Sequence, residues 1–154
     1  MEIVLYQPQI PPNTGTIARL CAATDTRLHL VGPLGFSLED RYLKRAGLDY
    51  WPHVKLEVWP SWEEYLERGV TGRLVLTSAR QGVAYQEFSF APGDVIVLGT
   101  ETMGLPAKVL DAHEHQVRIP IWGQVRSLNL SCAAAVLLYE ALRQTGELAA
   151  RDRG

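Results

Sequence analysis

Apolar, β-branched runs recur along the chain at Ile3 to Tyr6, Leu28 to Val31, Val54 to Trp59, Leu74 to Thr77, Val95 to Leu98 and Val117 to Ile121. Each is short and mostly continuous rather than alternating, the pattern of strands buried on both faces. Between them the apolar positions repeat with helical spacing over Thr14 to Thr24, Ser37 to Ala46, Ser61 to Arg68, Ala107 to Ala112 and Asn129 to Thr145. Ser61 and Glu64 make a capping-box pair, and Pro106 stands where a proline opens a helix. Strands alternating with helices imply βαβ units, so the pattern predicts an α/β fold: a mostly parallel sheet with helices on both faces.

The last helical segment carries the longest stripe. Leu130, Ala133, Ala134, Leu137, Leu138, Ala141 and Leu142 fall on one side of it and predict a buried face. Gln81 to Gly93 reads as the longest loop, and Ala149 to Gly154 as a frayed tail. Without a repeat, a low-complexity tract or a linker, residues 1–154 read as a single domain.

Composition narrows the function classes. Hydrophobic residues at 47% and charged ones at 21% are typical of globular proteins. No apolar run is long enough for a membrane span, and Glu2 stands where a secretory signal carries basic residues, so the expected location is cytoplasmic. Cys21 and Cys132 are the only cysteines, too few for a disulfide framework or a zinc set, and the four histidines are scattered, so no metal is expected. A net charge of −2 leans against nucleic acid as a partner unless Arg and Lys are concentrated locally.

The common nucleotide and hydrolase motifs are missing. Tyr6 runs into QPQIPPNTG instead of a G-x-G-x-x-G turn, GTETMG continues as Leu105-Pro106 instead of Gly-Lys-Ser/Thr, and no G-x-S-x-G elbow occurs. Three polar, glycine-containing segments that follow strands remain. In the first, PPNTGTIAR (Pro11 to Arg19), a rigid turn opens a helix at a strand's carboxyl end, where open α/β sheets bind ligands. Arg19 points away from the stripe Ile17, Leu20, Cys21 and Thr24; spacing alone also fits a solvated surface arginine. The second, LGTETMGLP (Leu98 to Pro106), permits close backbone approach at Gly99 and Gly104, or is a tight connection with one exposed acid, Glu101. The third, Ile119 to Ser131, leads through Trp122-Gly123-Gln124 and Arg126-Ser127-Leu128-Asn129 into the last helix. Its free N–H groups would suit a carboxylate or phosphate, and Ser127 or Asn129 equally fits a plain helix cap.

Taken together, N-x-G-x-x-x-R, G-x-E-x-x-G-L-P and I-P followed by S-L-N-L-S resemble the three ordered motifs of the SPOUT superfamily of S-adenosylmethionine-dependent RNA methyltransferases. YQPQIPPNTGTIARLCAAT with RAGLDYW (Arg45 to Trp51) is closest to the small tRNA 2′-O-ribose methyltransferases that modify a wobble cytidine or uridine. Leu98 and Thr100 depart from the family's frequent phenylalanine and serine or proline, at positions that backbone can serve.

The resemblance implies a C-terminal trefoil knot, a topology that periodicity cannot reveal. It implies S-adenosylmethionine as cofactor, with S-adenosylhomocysteine as product, held by Leu76, Thr77, Gly99, Glu101, Ile119, Ser127 and Leu128. It implies catalysis by Arg19, supported by Asn13, with Arg126 and Tyr139 as further candidates; Tyr139, one residue past Leu138, can equally pack. Arg41, Lys44 and Arg45 are the candidate RNA contacts, with Tyr50, Trp51 and His53 as stacking or packing groups. The tRNA anticodon stem-loop and a second copy of the chain are the implied partners. Two other readings stay open: methylation of ribosomal RNA or another tRNA position, against which RAGLDYW argues, and a non-catalytic RNA-interaction protein, against which Asn13, Arg19, Glu101, Ser127 and Asn129 argue.

Overall fold

The computed structural model describes residues 1–39, 41, 43 and 49–152. Seven strands form one sheet: β1 Glu2–Tyr6, β2 Arg27–Val31, β3 Leu56–Trp59, β4 Leu74–Thr77, β5 Val83–Ala84, β6 Val95–Leu98 and β7 Gln116–Arg118. Their order is β3-β2-β1-β6-β4-β7-β5, and every pairing is parallel. The helices are α1 Pro11–Thr24, α2 Trp62–Arg68, α3 Ala107–Asp111, α4 Leu130–Gln144 and α5 Glu147–Asp152, with a 3₁₀ turn at Trp51–His53.

Strand alternation splits the apolar runs between two cores. Ile3, Leu5, Leu28, Leu30, Ile96 and Leu98 face Ile17 and Cys21 of α1 and Leu137, Leu138 and Ala141 of α4. Val4, Tyr6, Val31, Leu76, Val95 and Val97 face Trp62 and Tyr65 of α2 and Val109 and Leu110 of α3. The continuous runs are thus strands sandwiched between helices, as the α/β reading expects. Burial pushes the Cys21 thiol up to about 12.

Helix α4 shows which force makes an element and which sets its start. Each fully buried large side chain contributes about 2 kcal/mol, and Leu137 and Leu138 are essentially inaccessible. The cap, in which Asn129 Oδ1 accepts from Ser131 N at 2.9 Å, contributes about 1 kcal/mol. The stripe therefore makes the helix and the cap fixes where it begins. Leu130 and Ala133, the first two stripe members, are only partly buried because they turn from core to cleft wall.

Several boundaries differ from the expected ones. Helix α1 begins at Pro11 rather than Thr14, because the two prolines occupy first-turn positions that need no N–H donor. The run at Val54 starts as a strand only at Leu56, after the 3₁₀ turn, and β7 stops at Arg118 so that Ile119 to Ile121 leave the sheet. Strand β5 lies inside the expected loop Gln81 to Gly93, too short to give a periodic signal. The expected frayed tail is corrected as far as Asp152: α5 is helical, and Arg151 Nη1 donates to the carbonyl of Thr24 at 3.0 Å. The helix expected over Ser37 to Ala46 runs into residues outside the described set.

Two buried polar groups are paid for by geometry. Trp59 Nε1 can only donate, and it reaches His29 Nδ1 at 3.0 Å, so Nδ1 accepts and Nε2–H donates to Glu2 at 2.8 Å. Asp94, 1% exposed, accepts from Arg73 Nε at 2.9 Å and Nη2 at 2.7 Å and from Ala91 N at 2.8 Å. The carboxylate raises the Arg73 pKa through this bidentate bond. Arg73→Ala would strand a buried carboxylate with one donor, so urea denaturation should show a loss of about 3 kcal/mol; a loss below about 1 kcal/mol would mean that water replaces the guanidinium.

Candidate active site

A parallel sheet turns all its carboxyl ends to one edge, and the chain there supplies successive loops. Those after β4, β6 and β7 enclose a cleft of about 650 Å³. Its walls include Thr77 and Ser78 from the first loop, Gly99 to Leu105 from the second, and Ile119, Ile121 and Arg126 to Leu128 from the third, closed by Leu130, Ala133 and Leu137 of α4.

The second loop is folded back on itself. Thr100 and Gly104 exchange backbone hydrogen bonds at 3.2 and 3.0 Å, and Thr100 Oγ1 accepts from Met103 N at 3.1 Å. A Cβ at Gly99 would lie 2.1 Å from the carbonyl carbon of Gly104, and Gly104 itself has φ +70°. Gly99 therefore has no room for a side chain, and the left-handed backbone at Gly104 favours glycine.

The loop is then fastened to the start of α1. Glu101 Oε2 accepts from Gln9 N at 2.9 Å and Oε1 from Ile10 N at 3.0 Å. Thr102 Oγ1 adds a bond to Gln9 Oε1 at 2.9 Å. The third loop is fastened to the same helix by Asn129 Nδ2, which donates to Asn13 Oδ1 at 3.0 Å. Two of the three cleft loops thus hold the first turn of the helix that carries Arg19.

Of the expected cofactor residues, Thr77, Gly99, Glu101, Ile119, Ser127 and Leu128 line the cleft. Leu76 does not; its side chain belongs to the core on the α2 and α3 side. Glu101 lines the cleft with both carboxylate oxygens engaged by backbone, so its side chain acts as a fastening rather than as an open acid. Among the expected catalytic residues, Arg126 stands exposed at the cleft and Asn13 is buried beneath it through Asn129. Arg19 is exposed outside the cleft lining, with its guanidinium carbon 5.6 Å from the centre of the Tyr50 ring. The Tyr50 hydroxyl donates to Gly15 O at 2.9 Å; burial pushes its pKa up while Arg19 pulls it down. Tyr139 is not at the cleft: it is 44% exposed and lines a separate groove between the end of α1 and α5, because it lies off the buried stripe.

Arg41 is exposed, while Lys44 and Arg45 lie outside the described residues. Tyr50 and Trp51 pack against the core and His53 is exposed. The loops that the resemblance marks for the cofactor, Leu76 to Ser78, Gly99 to Gly104 and Ile119 to Leu128, include the cleft residues Ser78, Met103 and Ile121, whereas Arg80 was missed. For Arg80 a signal existed, since S-A-R directly follows a strand's carboxyl end. Among the described residues no group of three or more His, Cys, Asp or Glu converges as metal ligands would, and no helix is long and apolar enough to cross a membrane.

Residues 1–139 match the profile of the SpoU rRNA Methylase family. The chain belongs to that family. Within the SpoU family's reach, it is 53% identical over 145 residues, 93% of this chain and 94% of the other, to the tRNA (cytidine(34)-2′-O)-methyltransferase of Methylovorus glucosotrophus. It superposes with TM-score 0.88 and 48% identity, over 93% and 94% of the two chains, on a solved structure described as giving structural insights into the 2-OH methylation of C/U34 on tRNA. The SpoU methyltransferase AviRb of Streptomyces viridochromogenes, solved in complex with the cofactor AdoMet, matches with TM-score 0.82 and 27% identity over 94% of this chain and 60% of its own.

Because Glu101 satisfies two backbone donors that precede α1, Glu101→Ala should lower the unfolding free energy by about 2 kcal/mol. Glu101→Gln should cost about half of that, since the amide oxygen can accept one N–H while its NH₂ faces the other. Equal stability of all three proteins in urea would mean that the fastening carries no energy.

Proposed function

We propose that the protein transfers a methyl group from S-adenosylmethionine to the ribose 2′-hydroxyl of the wobble nucleotide, a cytidine or uridine, in the anticodon stem-loop of tRNA. The observation that carries this reading is the end-to-end likeness to a protein named for that reaction. The cytoplasm, where tRNA is used, is the corresponding location. The position of β6 between β1 and β4 is consistent with the knotted C-terminal half that the family resemblance implies.

The cleft fits the cofactor on its own terms. Its volume lies within the range of small-molecule sites. Leu98, Ile119, Ile121 and Leu130 offer an apolar wall for an adenine, and the backbone of Gly99 to Gly104 and of Ser127 offers polar groups beside it. When bound there, S-adenosylmethionine supplies an electrophilic methyl on a sulfonium and leaves as S-adenosylhomocysteine. The chain's own contribution is alignment, from which much of the rate of an in-line displacement comes.

A guanidinium is a poor base but a paired donor, so the work of Arg19 is to clamp the target phosphate and steady the charge that develops on the 2′-oxygen. Tyr50 backs the guanidinium. Asn13, tied to Asn129, holds the turn beneath it. Arg126 offers a second cation at the cleft, and Arg41, Lys44 and Arg45 form the outlying RNA contact.

We also propose that the active protein is a homodimer. Cys132 and Tyr139 stand seven residues apart on α4, two helical turns along one face, and both are exposed, so a second copy would cover them. Tyr139→Glu should convert a dimer into a monomer in sedimentation velocity; a wild-type protein that sediments as a monomer while active removes the dimer.

The function is tested by incubating the protein with labelled S-adenosylmethionine and unmodified tRNA transcripts and mapping the methylated nucleotide. Label on the wobble ribose is expected, and Arg19→Lys should slow the reaction about tenfold or more because an ammonium cannot make the paired contact. Label on a base would overturn the reaction class, label on ribosomal RNA alone the substrate, and near-full activity of Arg19→Lys the clamp.

A further inference from the structure

Three of the four tryptophans are packed. Trp59 and Trp62 stack around Tyr65 on one side of the sheet, and Trp51 lies against the core on the other. Trp122 is 93% exposed. Among the described residues no aromatic ring or guanidinium lies against its indole. It follows Ile121, which lines the cleft, and precedes Arg126, also at the cleft. An indole held in water forgoes the largest burial gain of any side chain, and a loop that forms a cleft wall presents it beside the reaction centre.

We propose that Trp122 is a stacking platform for an unpaired base of the RNA next to the nucleotide whose ribose enters the cleft. The proposal rests on the reading that the substrate is an RNA loop. Its setting favours a nucleotide over an apolar protein face: Arg126 on the same loop and Arg80 on the loop after β4 are both exposed, and among the described residues neither is in an ion pair. An exposed ring on a loop that also carries an unpaired guanidinium, with a second on another loop of the same cleft, matches a base with its phosphates, since the ring takes the base's face and the cations take the backbone. The overall charge of −2 leaves such local groups to carry the attraction. A loop base is unpaired and every base has a π face, so the platform adds affinity without choosing the base.

The test uses the full-length protein, a wobble-containing anticodon stem-loop RNA and S-adenosylmethionine, with Trp122→Ala and Trp122→Phe. Trp122→Ala should weaken RNA binding about tenfold and Trp122→Phe should restore most of it, with cofactor affinity by calorimetry and sedimentation both unchanged. Unchanged RNA affinity in Trp122→Ala overturns the platform. So does a shift in cofactor affinity without one in RNA affinity, which makes the ring a cofactor cover, or a change in sedimentation, which makes it a contact between copies. If wild-type protein neither binds nor methylates the stem-loop, the functional reading fails first and the platform with it.

Discussion

Two backbone N–H groups ahead of α1, on Gln9 and Ile10, have no helical partner, and one carboxylate on a distant loop takes both. The arrangement of the site depends on this contact. Residues preceding a helix usually find their acceptors nearby in sequence; here the acceptor comes from Glu101, beyond five strands, so the loop after β6 and the start of α1 are held together. The Asn13–Asn129 bond repeats the device for the third loop. Helix α1 is therefore tied to the cleft although none of its side chains is in the lining, and Arg19 inherits a position fixed by residues of the cleft loops.

The sheet makes this fastening feasible. With all pairings parallel, β1, β4, β6 and β7 deliver their following loops to the same edge. Inserting β6 next to β1 brings Leu98 alongside Leu5 in register, which sets Gly99 to Gly104 beside Gln7 to Ile10. The two cores on opposite faces then lock the strands, so the loops start from fixed points.

The strands and the main helices were legible because their burial writes a period into the sequence, and Pro106 marked a helix start by chemistry that is local, whereas Pro11-Pro12 read as a turn and hid the first turn of α1. What was not legible was long-range or too short to be periodic. The two residues of β5 give no pattern, and α5 depends on Arg151 reaching Thr24, a contact that no window of sequence contains. At the site, motif order picked out three loops that the structure gathers around one cleft, with Thr77, Gly99, Glu101, Ile119, Ser127 and Leu128 in its lining. That the Glu101 carboxylate holds two distant N–H groups was not legible, because a carboxylate in a glycine loop looks the same whether it awaits a ligand or holds a backbone. Tyr139 misled for a related reason: being off the stripe says that a side chain leaves the core, not which way it then faces.

The proposed recognition through main-chain groups has a consequence for how such a cleft can change over time. Most side-chain replacements along the three loops leave the hydrogen-bonding pattern of the backbone intact, whereas Gly99 has no room for a side chain and Gly104 sits at a φ that strains other residues. A pocket of this kind drifts freely in its decoration and hardly at all in its ligand. A competitive inhibitor built to the main chain would accordingly leave few routes to resistance, because a mutation that displaced it would displace the natural ligand too.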